Sequence, residues 1–166
     1  RSFLAVRAGL AGHFQRAAAD IVIAHNALGA PCLPATPDIH LSVSRTEGWS
    51  AFAVSNDSVI GIDIERVRPI GWRQMLPMLC SPPEAALLSN QEDGTLLPFY
   101  RLWAAKEAIM KATGQGFRLG APGIELPSDF ILGQAPRAEV QVTDHKYRIA
   151  CHLHGDVMTA IALTRT

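Results

Sequence analysis

The sequence predicts an α+β fold in which helices pack on small antiparallel sheets. One helical segment, residues 99–113, contains no Gly or Pro, and short alternating runs typical of strands lie on both sides of it. The order helix then strands occurs twice, in residues 1–65 and again in 98–163, separated by an irregular, proline-rich connection at 66–97. We therefore expect a single domain over 1–166, built from two halves related by a pseudo-twofold axis.

The first half begins with an expected amphipathic helix. Apolar residues recur at helical spacing from Phe3 to about Ala19, although Gly9 and Gly12 weaken the helix. A short strand is expected after Asp20. Three further strand-like runs cover 39–44, 49–55 and 59–65, and Asn56-Asp57 predicts a tight hairpin turn between the second and the third.

The second half follows one clear helix start in the connection. Ser81-Pro82-Pro83-Glu84 has the pattern of a capping box with Pro in the first turn. The long helix comes next, with Pro98 at its beginning and Gly114 where a left-handed C-cap is favoured. Helical spacing predicts that it has one broad, mostly apolar face, which includes Lys106. Two alternating runs end the chain, one at 138–151 with a turn near Asp144-His145 and one at 157–163.

The composition limits the possible partners and compartments. With 48% hydrophobic and 18% charged residues, the chain can bury a sizeable core. Fifteen basic and fifteen acidic residues cancel, so we expect neither nucleic acid nor an anionic membrane as a partner. Its three cysteines are far apart and lack metal-ligand spacing, which predicts a reducing, cytoplasmic location. No apolar run is long enough to span a bilayer, and no signal peptide is recognisable.

The long helix carries an unusual concentration of lysine. The protein has three lysines against twelve arginines, and two of the three, Lys106 and Lys111, lie here. Glu107 and Lys111 are four residues apart and are neighbours on one flank of the helix. They admit two interpretations: an intrahelical ion pair worth about 0.2–0.5 kcal/mol, or part of a charged site.

A second charged pattern occurs on the strand predicted at 59–65. Its isoleucines alternate with Asp63 and Glu65, so the two carboxylates share one face, about 6–7 Å apart. Like charges this close repel one another unless a cation lies between them. A Mg²⁺ ion with oxygen ligands would serve, but so would a solvated sheet face with Arg66 and Arg68 nearby.

The two patterns together resemble the paired signature of the 4′-phosphopantetheinyl transferases. The first is Gly61-Ile-Asp-Ile-Glu65, and the second, about forty residues later, is Trp103-x-x-Lys-Glu-x-x-x-Lys-x-x-Gly-x-Gly116. Ser81-x-x-Glu84 stands between them, where the family has a helix start. The resemblance covers residues 1 to about 126. It is to the longer, pseudodimeric type that activates the carrier domains of peptide and polyketide synthetases, and it implies a 4′-phosphopantetheinyl transferase-like fold.

The resemblance implies an activity and roles for four residues. Such enzymes move the 4′-phosphopantetheine arm of coenzyme A to a serine of an acyl or peptidyl carrier protein and release 3′,5′-ADP. The implied Mg²⁺ ligands are Asp63, Glu65 and Glu107. Glu107 would also draw the proton from the serine, directly or through a metal-bound water. Lys111 would hold the pyrophosphate and stabilise the departing phosphate.

The resemblance implies further coenzyme contacts. Lys106, about 100° away around the helix, would face coenzyme A from another side. Ser42 and Arg1 stand at coenzyme-binding positions. Trp103 is expected to be a packing residue, and Gly114 and Gly116 are expected to end the helix without binding a ligand.

Two positions depart from the family pattern. Val43 replaces a histidine that contacts a coenzyme phosphate in relatives, and Ala30 replaces a lysine near the adenine. Coenzyme binding is therefore expected to be weak, or to use other arginines, such as Arg45, Arg66 or Arg118.

Three interpretations of the whole chain follow. We expect a Mg²⁺-dependent transferase, monomeric because of its internal repeat. A non-catalytic relative that binds a carrier protein or coenzyme A is the alternative, which Val43 and Ala30 favour and the three carboxylates and Lys111 oppose. Because the sequence begins with Arg1 and not with Met, it is also compatible with a domain of a larger synthase.

Overall fold

The computed structural model describes residues 3–92, 94–114 and 120–164. The helices are α1 Leu4–Phe14, α2 Leu76–Leu79, α3 Pro82–Ser89, α4 Leu97–Thr113 and α5 Ser128–Ile131. The strands are β1 Ala24–His25, β2 Pro31–Cys32, β3 His40–Thr46, β4 Trp49–Ser55, β5 Ile60–Arg66, β6 Arg137–Val142, β7 His145–His154 and β8 Val157–Thr164. None of the helices in these ranges combines the length and apolar character that crossing a bilayer requires.

The main sheet has four antiparallel strands in the order β5-β8-β7-β6, with α4 packed across one face. Small residues are fully buried on both elements of this contact, namely Ala160 and Ala162 of β8 and Ala104 and Ala108 of α4. Every pair of neighbouring strands in the sheet is antiparallel, which agrees with the predicted sheet type. The predicted α+β class is confirmed.

The first half contains the β3–β4 hairpin, against which α1 packs. The hairpin turn predicted at Asn56-Asp57 is wrong. The two-residue turn is Glu47-Gly48, where Gly48 has φ 77°. Such a turn needs positive φ, which glycine adopts without strain. Asn56-Asp57 instead leads the chain from the hairpin into β5, which pairs with β8 of the second half.

Side-chain hydroxyls join the hairpin to the main sheet. Ser42 Oγ accepts from the Ile62 N–H at 3.0 Å, and Ser44 Oγ accepts from the Ile64 N–H at 3.2 Å. Two residues further along each strand, Thr46 Oγ1 accepts from the Arg66 N–H at 3.3 Å. β3 therefore satisfies the backbone donors on the open edge of β5 without forming a backbone ladder with it.

Several predicted element boundaries differ from the structure. The first helix ends at Phe14, not near Ala19, because Gln15 adopts a left-handed conformation with φ 52°. The strand expected after Asp20 is reduced to β1. The helix starts of α3 and α4 are confirmed, and Gly114 ends α4 in the left-handed conformation, with φ 66°.

Helix α4 is buried around most of its circumference, whereas one apolar face was expected. Loops and helices from the connection 66–97 cover the side that does not contact the sheet. Tyr100 illustrates the difference, since its ring is buried and its hydroxyl donates to the Arg68 carbonyl at 3.0 Å. A helix enclosed in this way can hold charged side chains out of water.

Candidate active site

The candidate site forms where β5 and α4 lie side by side. Gly61 of β5 contacts the backbone of α4 at Ala108 and Ala112, so the strand and the helix approach closely. Side chains two residues apart on β5 share a face, which directs Asp63 and Glu65 towards the helix. The alternation therefore identified the shared face correctly. That face is not the solvated sheet face considered above, because Asp63 is only 4% exposed.

Asp63 is the most enclosed acid of the site. Its Oδ1 accepts from the Lys111 ammonium at 2.7 Å and from Ser44 Oγ at 2.8 Å. Its Oδ2 is buried and has no hydrogen-bond partner among the described residues. Burial raises the pKa of Asp63 above its ordinary value, while Lys111 and Ser44 lower it in part. The carboxylate thus keeps one oxygen free for a further donor or cation.

Lys111 connects the strand to the helix. Besides Asp63, its ammonium donates to the Ile62 carbonyl at 3.0 Å, and its side chain is 30% exposed. Its ion pair is therefore with Asp63 across the β5–α4 contact, not the intrahelical pair with Glu107 that was considered as one interpretation. This placement supports the second interpretation, a charged site.

Glu65 and Glu107 complete a group of three acids with mutual electrostatic effects. Burial, then the charges of Asp63 and Glu107, raises the pKa of Glu65 to about 7. Burial and the charge of Asp63 also raise the pKa of Glu107, whereas Lys111 lowers it. The strand and the helix therefore bring all three predicted carboxylates into one negative region.

This negative region does not have the geometry of a ready-made metal site. In residues 3–92, 94–114 and 120–164, no group of three or more His, Cys, Asp or Glu side chains is arranged to hold a metal ion. Lys111 takes one side of Asp63, and the three carboxylates repel one another. Even so, a divalent cation would give the unpartnered Asp63 Oδ2 a ligand bond. It would also offset the repulsion from neighbouring acids that helps to raise the pKa of Glu65.

A cleft of about 800 Å³ lies on the other side of Lys111. The turn from Ala27 to Pro31 forms one wall, and Leu41, Ser42 and Val43 of β3 form another. The end of α4 closes it through Met110, Lys111, Thr113 and Gly114. Of the described residues that line the cleft, Lys111 alone carries a charge. Its ammonium thus stands between the cleft and the carboxylates.

Lys106 does not face this cleft, and the expectation that it contacts coenzyme A does not agree with the structure. Its side chain is fully buried, and its ammonium donates to the Glu84 carboxylate and to the carbonyls of Leu79 and Ala121, at 2.7 and 3.0 Å. The physical reason is the enclosure of α4, which puts position 106 in the interior. Its place on the predicted apolar face already pointed to burial.

The other predicted coenzyme contacts have mixed outcomes. Ser42 and Val43 line the cleft with Lys111, as does Ala30. The alternative arginines are engaged elsewhere: the Arg45 guanidinium lies 4.4 Å from the centre of the Phe3 ring, and Arg66 Nε donates to Asp156 at 2.7 Å. Three of the predicted residues, Arg1, Gly116 and Arg118, lie outside the described residues.

Trp103 is in a packing position, as expected. Its ring stacks on Tyr100 with centroids 5.8 Å apart, and it packs against the main core.

Sequence reasoning missed Ser44 as a supporting residue of the site and Glu84 as the partner of Lys106. Ser44 holds the Asp63 carboxylate, and Glu84 is the buried partner of Lys106. The regular spacing of the β3 hydroxyls could have indicated the first. Glu84 was interpreted as a helix cap only; its Oε2 does accept from the Ser81 N–H, at 2.7 Å, but also pairs with the lysine.

Comparisons with known proteins identify the family of the chain. Residues 59–162 match the model of the 4′-phosphopantetheinyl transferase superfamily, a range that includes Asp63, Glu65, Glu107 and Lys111. The chain is 30% identical over 164 residues to the 4′-phosphopantetheinyl transferase Sfp of Bacillus subtilis, covering 91% of this chain and 71% of that protein. Another 4′-phosphopantetheinyl transferase of Bacillus subtilis is 32% identical over 150 residues, covering 81% of this chain and 64% of its own length.

A solved structure is similar in part. It is that of holo-ACP-synthase from Plasmodium yoelii, with a TM-score of 0.44 and 20% identity over 63% of this chain and 91% of that one. The family match and the Bacillus relatives confirm the assignment from the two motifs to a family of transferases. This chain belongs to the 4′-phosphopantetheinyl transferase superfamily.

Proposed function

We propose that this chain transfers the 4′-phosphopantetheine arm of coenzyme A to a serine of an acyl or peptidyl carrier protein, in a Mg²⁺-dependent reaction that releases 3′,5′-ADP. The observation that carries the proposal is the position of Lys111. It lines the cleft and at the same time pairs with Asp63 in the group of three carboxylates. Coenzyme A carries its pyrophosphate between the nucleotide and the pantetheine arm. When it is bound in the cleft, this pyrophosphate would lie beside the Lys111 ammonium.

The residues of the chain divide the chemistry between binding and proton transfer. Lys111 holds the pyrophosphate as a point charge and stabilises the negative charge that develops on the leaving phosphate. Asp63 and the Ile62 carbonyl orient the ammonium through hydrogen bonds of 2.7 and 3.0 Å. The Lys111 side chain therefore needs little reorganisation when the charge develops.

Glu107 acts as the base. The serine oxygen forms a bond to the phosphorus that carries the pantetheine arm, and the bond from this phosphorus to the bridging oxygen breaks. The bridging oxygen leaves with 3′,5′-ADP, and the serine proton passes to the Glu107 carboxylate. Burial and the charge of Asp63 raise the pKa of Glu107, which makes its carboxylate a stronger base than a solvated one.

A divalent cation suits the donor chemistry of the residues present, although the described carboxylates are not already arranged as a metal site. Asp63, Glu65 and Glu107 would hold it, since Asp63 Oδ2 has no partner among the described residues and the pKa of Glu65 is raised to about 7 in part by the other two acids. When bound, Mg²⁺ would offset charge on the pyrophosphate oxygens.

On the basis of the sequence, we also propose that the protein is a monomer and that it acts in the cytoplasm.

A mass-spectrometric assay tests the proposed transfer. The protein is incubated with coenzyme A, Mg²⁺ and several carrier proteins, and each carrier is weighed. We expect a carrier to gain one phosphopantetheinyl group, and we expect no gain when its acceptor serine is replaced by alanine. If no carrier gains mass under any condition, the proposed transfer is wrong.

One observation favours a second function, that of a non-catalytic relative that binds coenzyme A or a carrier protein. Val43 and Ala30 line the cleft where cationic side chains would strengthen phosphate binding, and Lys111 is the single charged residue among the described lining. Calorimetric titration of coenzyme A, combined with the transfer assay, distinguishes the two functions, because a transferase also binds coenzyme A. Binding without any transfer would support the second one.

A further inference from the structure

The strongest feature outside the site is the buried Lys106–Glu84 ion pair. All three protons of the Lys106 ammonium have acceptors, namely the Glu84 carboxylate, the Leu79 carbonyl and the Ala121 carbonyl. Glu84 also accepts from the backbone N–H of Ser81 at 2.7 Å and from that of Leu126 at 2.8 Å. Side-chain exposure is 0% for the lysine and 2% for the glutamate.

This network attaches α4 to three other parts of the chain. They are the end of α2 at Leu79, the beginning of α3 at Ser81 and Glu84, and the segment from Ala121 to Leu126. The last segment follows the end of α4, which lines the cleft through Thr113 and Gly114. One ion pair therefore fixes the helix against the elements that cover the side away from the sheet.

The opposite side of α4 carries the charged site. Glu107 directly follows Lys106, and Lys111 lies five residues after Lys106, about 7.5 Å along the helix axis. Gly61 of β5 contacts α4 on the sheet side at Ala108. Held between β5 and the buried pair, the helix has a defined rotation and axial position. The distance from Lys111 to Asp63 depends on both.

Stability alone does not explain the use of charge here. A buried ion pair costs desolvation, and well-packed apolar residues of similar volume often serve as well or better. Directional hydrogen bonds favour a single arrangement of the helix, because all five bonds of this network must form at the same time.

We propose that the buried Lys106–Glu84 pair is a positioning device, which fixes the register of α4 so that Lys111 and Glu107 stay aligned with Asp63 for transfer. Neither residue touches the substrate, so both act through the residues that α4 carries. The inference rests on the proposed transfer but names residues that the proposed reaction does not use.

A double variant separates positioning from stability. In Lys106→Met with Glu84→Gln, both charges are removed together, and the Gln carbonyl keeps an acceptor for one of the two backbone donors that Glu84 binds. Met leaves the buried carbonyls of Leu79 and Ala121 without this donor, so we expect a lower unfolding temperature, as in the control below. We expect kcat to fall about tenfold to a hundredfold, and KM for both substrates to stay within about threefold. Phe130→Leu is the control. It trims a fully buried ring whose charged neighbour is Arg101, 5.6 Å from the ring centre, and its kcat should stay within about twofold of the parent.

A second measurement does not depend on transfer. The protein has three lysines, so the side-chain NMR signal of Lys111 can be assigned, and it reports on the contact with Asp63. We expect this signal to move in the double variant and to stay in place in Phe130→Leu. If the double variant does not fold, the single variant Glu84→Gln is judged by the same two measurements.

Two results would overturn the inference: a kcat within about threefold of the parent, or an unmoved Lys111 signal. If the parent itself transfers nothing to any carrier, the proposed function fails. The Lys111 signal then decides the positioning role by itself.

Discussion

Gly61 and Ala108 are in such close contact that no side chain fits between β5 and α4 at this point. A Cβ atom on residue 61 would lie 1.9 Å from the Ala108 carbonyl oxygen and 2.8 Å from the Ala112 nitrogen. Both neighbours are backbone atoms of a buried helix, so they cannot rotate away. Residue 61, the glycine of the first motif, therefore has to lack a side chain. Only then can β5 and α4 come close enough for Asp63 to pair with Lys111.

Gly61→Ala should consequently separate the strand from the helix. We expect a loss of about 2–4 kcal/mol in the free energy of unfolding from the overpacking, together with a large loss of transfer. Gly12→Ala in α1 is the matched control, since a Cβ there meets nothing within 4 Å, and it should stabilise the helix by about 0.5–1 kcal/mol. Denaturant unfolding of the two variants checks this. Equal stability of Gly61→Ala and the parent would contradict the close contact.

The sequence predicted the elements that carry the site but not how they are enclosed. The span of α4, the strand position of Asp63 and Glu65 and the glycine at the helix end follow from local patterns, which depend on neighbouring residues. The burial of Lys106 and the pairing of β5 with β8 depend on contacts between distant parts of the chain. The same holds for the partner of Lys111, since i,i+4 spacing favoured Glu107 whereas tertiary packing supplied Asp63.

Lys111→Ala should affect rate and stability in different ways. Loss of one preorganised charge predicts a fall in kcat of about two to three decades. Asp63 then keeps a buried carboxylate with Ser44 as its remaining donor, which predicts a loss of about 1–3 kcal/mol in stability near neutral pH. Lys146→Ala, on the exposed side of β7, is the control and should change neither quantity. A change in stability without a change in kcat would leave Lys111 as a structural residue only.

Asp63→Ala should abolish transfer at every Mg²⁺ concentration while the protein stays folded. The substitution removes the acceptor of Lys111 and the free Oδ2 atom, so both the ammonium and a bound cation lose their support. Steady-state assays across a Mg²⁺ titration, beside a circular dichroism spectrum, measure the two effects. Asp57→Ala, in the exposed link before β5, should retain the parent rate. Undiminished transfer by Asp63→Ala would rule out its role as a metal ligand.

Stability of the protein in EDTA should fall as pH rises from about 4.5 to about 7. The pKa of Glu65 is raised from 4.5 to about 7 by burial and by two neighbouring acids. In this window the folded state therefore binds more protons than the unfolded state, and deprotonation costs stability. Because Glu65 is partly exposed, we expect about 1–2 kcal/mol and not the ~3 kcal/mol of an unscreened shift.

Glu65→Gln tests the origin of this pH dependence. Denaturant unfolding at a series of pH values should show a smaller decline for this variant than for the parent, whereas Glu125→Gln, at an exposed position, should follow the parent. Identical curves for Glu65→Gln and the parent would assign the decline to other groups.

Val43→His should tighten the binding of coenzyme A. Val43 and Lys111 line the same cleft, so an imidazole at position 43 could donate to a phosphate where valine cannot. A charge-assisted contact of this kind contributes ~1.5–3 kcal/mol, or about ten- to a hundredfold in affinity. The gain should be larger at lower pH, where more of the imidazole is protonated.

Val54→His on β4 is the control, because Val54 is a comparable, partly buried valine outside the residues that line the cleft. Calorimetric titration of both variants at two pH values measures the effect, and an unchanged affinity of Val43→His at both would mean that this part of β3 does not contact the coenzyme.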